Sequence, residues 1–304
     1  MAELPRQISV REVGPRDGLQ NEDPVPTAAK IELIDRLSGT GVQRIEAVSF
    51  VRPEVIPQMA DADEVWHRIH RVDQVRYSAL VPNARGAVRA LDNGLGELEA
   101  VVSASDTHNR KNVNRSTAQS LDEIAEIIQL AHDRGVSCQV IVSTAWGCPY
   151  EGDVPVDRVV AVASRALADG ADSVSFGDTT GMATPGRVQR LIGEFRSAQP
   201  GAQLNLHFHN TRGTGLANVL AALEMGVADF DASVGGLGGC PYAPGATGNI
   251  ATEELVHMVE DMGVSTGIDL DALIDAAADA ERIIGRVLPS QVLRAGPRSR
   301  IIGG

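Results

Sequence analysis

Apolar, β-branched runs recur at Ile8 to Val13, Val42 to Val48, Val75 to Val81, Leu98 to Val102, Cys138 to Ser143, Ser173 to Phe176, Leu204 to Phe208 and Val227 to Val234. Runs this short and this rich in branched side chains predict eight buried strands. Most follow a helical pattern that stops at a glycine, at Gly41, Gly94, Gly135, Gly170 and Gly226, where a helix C-cap needs left-handed backbone. The clearest helix is predicted to start at Ser120. There Ser120-Leu-Asp-Glu123 reads as a capping box, and Leu121, Ile124, Ile128 and Ala131 share one face.

The units repeat every ~30 to 40 residues, the spacing of strand–helix pairs in a parallel sheet. Eight of them in ~250 residues imply closure into a (β/α)8 TIM barrel. Extra helix is expected at about Asp269 to Ile284, in a C-terminal helical extension of about 265–304, with 1–304 forming a single catalytic domain. An open doubly wound sheet is the alternative. It is disfavoured because Gly213-x-Gly215-x-x-Asn218 is a poor dinucleotide fingerprint and does not directly follow a strand.

The formal net charge of −13 and pI near 5.0 make the surface repel phosphate backbones and anionic lipid, so neither nucleic acid nor membrane is expected as a partner. No apolar run reaches the ~18 residues of a membrane span, and Met1 to Gln7 lacks the layout of a signal peptide. Cys138, Cys148 and Cys240 form no Cys-x-x-Cys pair, and with three thiols at least one is free. A cytoplasmic protein with reduced thiols is the expectation.

In a barrel the chemistry gathers at the C-terminal strand ends, where the loops converge on one mouth. Unusual polar residues cluster there: Glu12 and the segment Gly14 to Gln20, then Glu46 and Ser49, Ser143, Ser175 and Asp178, His207 and His209, and finally Cys240 and Asn249. The period of two in His207-Phe-His209 puts both imidazoles on one strand face, within reach of one ion; hydrogen bonding to the barrel wall is the other reading. Oxygens from Asp17 and Asn249 would complete a mixed set suited to Mg²⁺ or Mn²⁺, whereas zinc on His207, His209 and Cys240 is a poorer match. Arg16 and Asp17 could equally be a solvated pair. Glu12 and Glu46, inside apolar strands, could serve structural ion pairs with Arg11, Arg16 or Arg44. The glycine-rich segment from Gly235 to Gly248 reads as a lid with Cys240 at its centre, placed to move a proton. Cys148 and Cys138 read as structural.

Taken together, Val13-Gly-Pro-Arg-Asp-Gly-Leu-Gln-Asn-Glu22, Ile45-Glu-Ala-Val-Ser-Phe50, Gly147-Cys-Pro-Tyr-Glu-Gly152, Gly177-Asp-Thr-Thr-Gly181, His207-Phe-His209 and Gly236-Leu-Gly-Gly-Cys-Pro-Tyr242 with Gly248-Asn249 resemble the 3-hydroxy-3-methylglutaryl-CoA lyases, over roughly Ile8 to Val287. The resemblance implies a metal-dependent TIM barrel that splits its acyl-CoA substrate into acetyl-CoA and acetoacetate, as a homodimer or larger assembly. It implies Asp17, His207, His209 and Asn249 as ligands to Mg²⁺ or Mn²⁺, with Arg16, Glu46, Asp178, His207 and Cys240 catalytic. Gln20, Ser49, Ser175 and Thr179 are expected to touch substrate. Leucine breakdown, isoprenoid breakdown and dicarboxylate use would all share such a site. The chain departs from the family at Ala104-Ser-Asp-Thr-His108, at Gln139-Val-Ile141 and at Asp23. The first two are expected to flank the mouth and to bear on the acyl group, so a lyase for another 3-hydroxyacyl-CoA such as citramalyl-CoA is the nearest alternative. A Claisen-condensing acyltransferase and a non-catalytic CoA-ester-binding barrel are more distant ones.

Overall fold

All eight expected strands form in the computed structural model, which describes residues 4–239 and 248–300. They are β1 (Ser9–Glu12), β2 (Arg44–Ser49), β3 (Arg76–Val81), β4 (Glu97–Ser103), β5 (Ser137–Ser143), β6 (Ser173–Gly177), β7 (Leu204–His207) and β8 (Asp229–Ala232). Each is hydrogen-bonded in parallel to the next, and β1 pairs with β8 from Ser9↔Asp229 to Glu12↔Ala232, so the sheet closes in sequence order. This is the (β/α)8 barrel expected from the repeat.

Backbone conformation explains where the helices stop. Gly41 and Gly170 follow their helices with φ of +87° and +106°, a region costly for any side chain. A Cβ at Gly41 would also come within 2.5 Å of the Gly267 carbonyl oxygen. The helix expected from Ser120 begins a turn earlier and spans Thr117–His132. Its capping box is Ser116 with Gln119: Ser116 Oγ accepts from Gln119 N at 3.1 Å and Gln119 Oε1 accepts from Ser116 N at 2.9 Å. The second string, Ser120 to Glu123, is used for tertiary contacts, with Ser120 Oγ accepting from Asn109 Nδ2 at 2.7 Å and Glu123 from Ala84 N at 2.9 Å. Leu121, Ile124, Ile128 and Ala131 are buried as the periodicity requires. After the eighth strand, helix Leu270–Ile284, capped by Asp269, packs on helices Thr27–Ser38 and Thr252–Asp261. Among the described residues no helix is long and apolar enough to cross a membrane.

Within the strands, polar and apolar positions alternate more strictly than the apolar runs suggest. Val10, Ile45, Val140, Val174 and Phe230 are fully buried on one face. The intervening residues turn into the lumen, as period two requires. Arg11 of β1 reaches Glu99 of β4 (Nη1–Oε1 2.6 Å) and grips Asp231 of β8 through Nε and Nη2, both at 2.8 Å. Arg44 of β2 pairs with Glu97 of β4, and Ser78 of β3 donates to Glu99. Because β1 and β2 are not sheet neighbours of β4, the Arg11–Glu99 and Arg44–Glu97 pairs reach through the lumen between strands that share no ladder. Such barrels more often fill the lumen with branched apolar side chains; here ion pairs do so. A buried charge costs several kcal/mol unless it is paired, so the pairs stand or fall together.

Glu12 faces the other way and pairs with none of Arg11, Arg16 or Arg44. Its Oε1 accepts from Gly14 N (2.7 Å) and Val234 N (2.8 Å), and Oε2 from Thr252 Oγ1 (2.6 Å). Burial pushes its pKa up from 4.5 to about 7, against the pull of these three donors.

Two outcomes are expected. Arg11→Met leaves Glu99 and Asp231 buried without their cation and should cost about 3–5 kcal/mol in urea unfolding; a loss under ~1 kcal/mol would refute the role given to the lumen pairs. Glu12 has a folded pKa above its unfolded value, so its stabilising contribution is full below 4.5 and is lost as pH rises toward about 7. Glu12→Gln, which keeps an acceptor for both amides, should therefore flatten the fall of the urea midpoint across that window; an unaltered slope would contradict this.

Candidate active site

The chain leaves β1 in a single turn of π-helix, Gly14–Gly18, whose Asp17 and Gly18 amides donate to the Val13 carbonyl at 2.7 and 3.1 Å. Such turns concentrate at functional sites because they swing side chains out of the regular helical order. This one turns Arg16 and Asp17 into the mouth together. At Gly14 the backbone passes so close to Glu12 that a Cβ would lie 2.7 Å from its Oε1.

Arg16, only 7% exposed, bridges two carboxylates: Nη1 donates to Asp17 Oδ1 at 2.7 Å and Nη2 lies 2.6 Å from Glu46 Oε2. The structural ion pair considered for Glu46 is thus made, and it is made with the residue that faces the mouth. Burial pushes the Glu46 pKa up, Arg16 draws it down and nearby Glu99 adds to the rise. Asp17 Oδ1 also accepts from Gln20 Nε2 at 2.7 Å, and Oδ2 from Asn249 Nδ2 at 2.8 Å. Burial opposes its charge, but Arg16, then His207 and His209, hold Asp17 down at about 2.

His207 ends β7, and His209 lies two residues on. Their ring centroids are 5.1 Å apart, and the ligating atoms of Asp17, His207 and His209 fall within 4.8 Å of one another. Asn249 reaches this group through backbone pairing. The chain returning at 248–250 forms an antiparallel bridge, His209↔Asn249, with Asn210 N donating to Gly248 O at 2.6 Å and Ile250 N to Phe208 O at 3.2 Å. His209 Nδ1 and Asn249 Oδ1 are buried with no hydrogen-bond partner among the described residues. A lone pair so placed costs free energy unless something meets it. Two imidazoles, a carboxylate and an amide oxygen fit a hard or borderline divalent cation. Burial, with His207 adding to it, lowers the His209 pKa to about 3, leaving the neutral ligating form. For His207 burial works the same way, but Asp231 and Asp17 outweigh it and raise its pKa.

Asp178 follows β6, and its N–H donates to the His207 carbonyl at 2.9 Å. Oδ1 accepts from Met182 N (2.7 Å) and Ala183 N (3.0 Å); Oδ2 is buried with no partner among the described residues. Burial raises its pKa to about 6 against those two amides. Of the residues expected to touch substrate, Gln20 sits on Asp17, and Ser49 is buried with Oγ unpartnered among the described residues. Thr179 Oγ1 accepts from Thr144 N at 2.9 Å. Ser175 lies below the mouth in the lumen, accepting from Asn205 Nδ2 at 2.9 Å. Cys240 and most of the expected lid lie outside the described residues.

The two strand-flanking departures separate. Past the end of β4, Ser105 caps helix Asp106–Val113 and Thr107 lies in its first turn, both tied to the loop after β5 by Glu151, whose Oε1 accepts from Ser105 Oγ (2.8 Å) and Thr107 N (2.9 Å). Gln139 does not flank the mouth. It sits near the start of β5, bonded to Ser173 at 2.9 Å, and lines a small polar cavity of about 120 Å³ at the N-terminal end of the barrel with Arg44, Arg76 and Asp229.

Several supporting residues escaped the sequence reading. Asp231 accepts from His207 Nδ1 at 3.2 Å and from Asn205 Nδ2 at 2.9 Å, and Arg212 bridges two loops by donating to the Thr180 (2.6 Å) and Gly181 (3.0 Å) carbonyls. A charge inside an apolar run, the cue that exposed Glu12 and Glu46, was equally present at Asp231 and Glu99. No local pattern marked Arg212.

The chain is 45% identical to a hydroxymethylglutaryl-CoA lyase of Bacillus subtilis over 95% of its own length and 97% of that protein. It is 44% identical to an (R)-citramalyl-CoA lyase of Chloroflexus aurantiacus, covering 95% of each. A solved HMG-CoA lyase from Acinetobacter baumannii, in complex with coenzyme A and 3-methylmalate, superposes with a TM-score of 0.94 at 45% identity, covering 99% of both chains. The family model described as HMGL-like matches residues 7–279, and with the barrel and this agreement across nearly its whole length, the chain belongs to the HMGL-like family.

Proposed function

We propose that this protein is a divalent-metal-dependent lyase that splits 3-hydroxy-3-methylglutaryl-CoA into acetyl-CoA and acetoacetate. The observation that carries the reading is the meeting of Asp17, His207, His209 and Asn249, with His209 Nδ1 and Asn249 Oδ1 unpartnered among the described residues, beside an Arg16 fixed by two carboxylates. The relatives' names supply the substrate class. These four residues would hold Mg²⁺ or Mn²⁺, which supplies a Lewis acid that acidifies the substrate's 3-hydroxyl and orients it.

The remaining steps belong to side chains. Asp178, with Oδ2 unpartnered among the described residues and a pKa of about 6, is ionised at neutral pH yet basic enough to take the hydroxyl proton. As the C2–C3 bond breaks, its electron pair moves into the thioester and forms the acetyl-CoA enolate, while C3 becomes the ketone of acetoacetate. Arg16 faces that developing charge, and Glu46 and Asp17 hold the guanidinium rigid so that little reorganisation is needed. A proton delivered to C2 by Cys240 completes acetyl-CoA; His207 would hold the metal and keeps its Nδ1 on Asp231, 3.2 Å away. Gln20, Ser49, Thr179 and Ser175 are assigned to the acyl chain and its surroundings. The reading places the enzyme in the cytoplasm, as a homodimer or larger assembly.

A second reading, citramalyl-CoA as substrate, is favoured by the 44%-identical citramalyl-CoA lyase and by the departure at Thr107 and His108.

Acetyl-CoA release from 3-hydroxy-3-methylglutaryl-CoA should proceed with Mg²⁺ or Mn²⁺ and stop with EDTA; metal binding without turnover would shift the assignment to citramalyl-CoA. Arg16→Met should lower kcat by about 10²-fold or more while leaving metal affinity in place, and an unchanged kcat would remove Arg16 from the mechanism. Cys240→Ala should lose about 10²- to 10⁴-fold if the thiol is the proton donor, and a smaller loss would remove the thiol from that role.

A further inference from the structure

We infer that Asp231, clamped by Arg11 and Asn205, is a positioning residue that decides which ring nitrogen of His207 faces the metal; the inference rests on the metal reading above. A neutral imidazole carries one N–H and one lone pair, and only the lone pair can ligate. Asp231 Oδ2 lies 3.2 Å from His207 Nδ1, while Nε2 points toward Asp17, 4.0 Å from its Oδ2. An ionised carboxylate can only accept, so Nδ1 must carry the hydrogen and Nε2 is left bare.

Asp231 cannot swing away to relax this choice. Oδ1 accepts from Arg11 Nε at 2.8 Å and Asn205 Nδ2 at 2.9 Å, and Oδ2 accepts from Arg11 Nη2 at 2.8 Å besides the imidazole. Arg11 is itself fixed across the lumen by Glu99 on β4. The ring's orientation at the mouth is therefore set by a chain of contacts that begins on the opposite wall of the barrel. Such outer partners of ligating histidines are worth about 10- to 100-fold in metal affinity.

The test has three arms. In metal-free wild type labelled with ¹⁵N-histidine, at a pH high enough to neutralise the ring, His207 should show a protonated Nδ1 and a bare Nε2. A protonated Nε2 overturns the inference without any variant. Asp231→Asn offers an amide that can donate to Nδ1, so Mn²⁺ binding measured by calorimetry should weaken about 10- to 100-fold and the ring should shift toward the Nε2–H tautomer. Asn205→Ala removes one clamp and spares the Arg11 pair, so its loss should stay below about tenfold. Mn²⁺ affinity within about twofold of wild type in folded Asp231→Asn, or in Asn205→Ala with no tautomer shift should the first variant not fold, overturns the proposal. Failure of the wild type to bind Mn²⁺ would instead strike the functional reading, while the tautomer measurement still decides this one.

Discussion

A guanidinium at the centre of a barrel is tolerable only while carboxylates surround it, and Arg11 meets that condition through Glu99 and Asp231. Much else follows from this arrangement. It ties β1 both to its sheet neighbour β8 and to β4, with which it shares no backbone ladder. It also commits the inward positions of several strands to polar residues, since each charge introduced demands a partner. The outward positions are then left to supply the apolar contacts with the helices, which is why residues such as Val10, Val140 and Phe230 are wholly buried.

The mouth is assembled from segments that are each pinned twice. Arg16 and Asp17 are aimed by the π-turn after β1 and then locked to one another and to Glu46. Asn249 is brought opposite His209 by antiparallel pairing and also bonds the Leu237 carbonyl at 2.9 Å. Asp178 is fixed by two amides of its own loop, and Arg212 braces that loop against the next. Preorganised groups of this kind need little movement when charge develops, which is the main physical advantage of a folded site over the same residues in water.

The barrel was legible because strand and helix periods, and glycines such as Gly41 and Gly170, are local signals. The pairing of His207 with His209 was legible for the same reason, as period two is enough to place both rings on one face. Boundaries were less secure: Ser116-Thr-Ala-Gln119 and Ser120-Leu-Asp-Glu123 both carry the capping string, and the second is drawn into tertiary contacts, Ser120 with Asn109 and Glu123 with Ala84. Glu12 and Glu46 looked alike in sequence, yet one accepts amides behind the strand and the other faces Arg16, a difference set by which way each side chain turns. Asp231 and Arg212 act through contacts with residues distant in the chain, and no window of sequence contains both partners. The level of Gln139, by contrast, was legible: the run from Cys138 to Ser143 already places it at the start of the strand, away from the C-terminal mouth, where it pairs with Ser173 of β6.

The ion-paired lumen also shapes how the molecule responds to temperature. Exposing polar surface on unfolding lowers the heat-capacity change, whereas exposing apolar surface raises it. A barrel cored by guanidinium and carboxylate groups therefore has a shallower stability curve than one cored by valine and isoleucine. The cost of dehydrating those charges also falls on heating. The interior that holds the mouth in register thus loses less of its advantage as the solvent warms, and the broad thermal tolerance this implies comes from the strands' inner faces, not from the helices that enclose them.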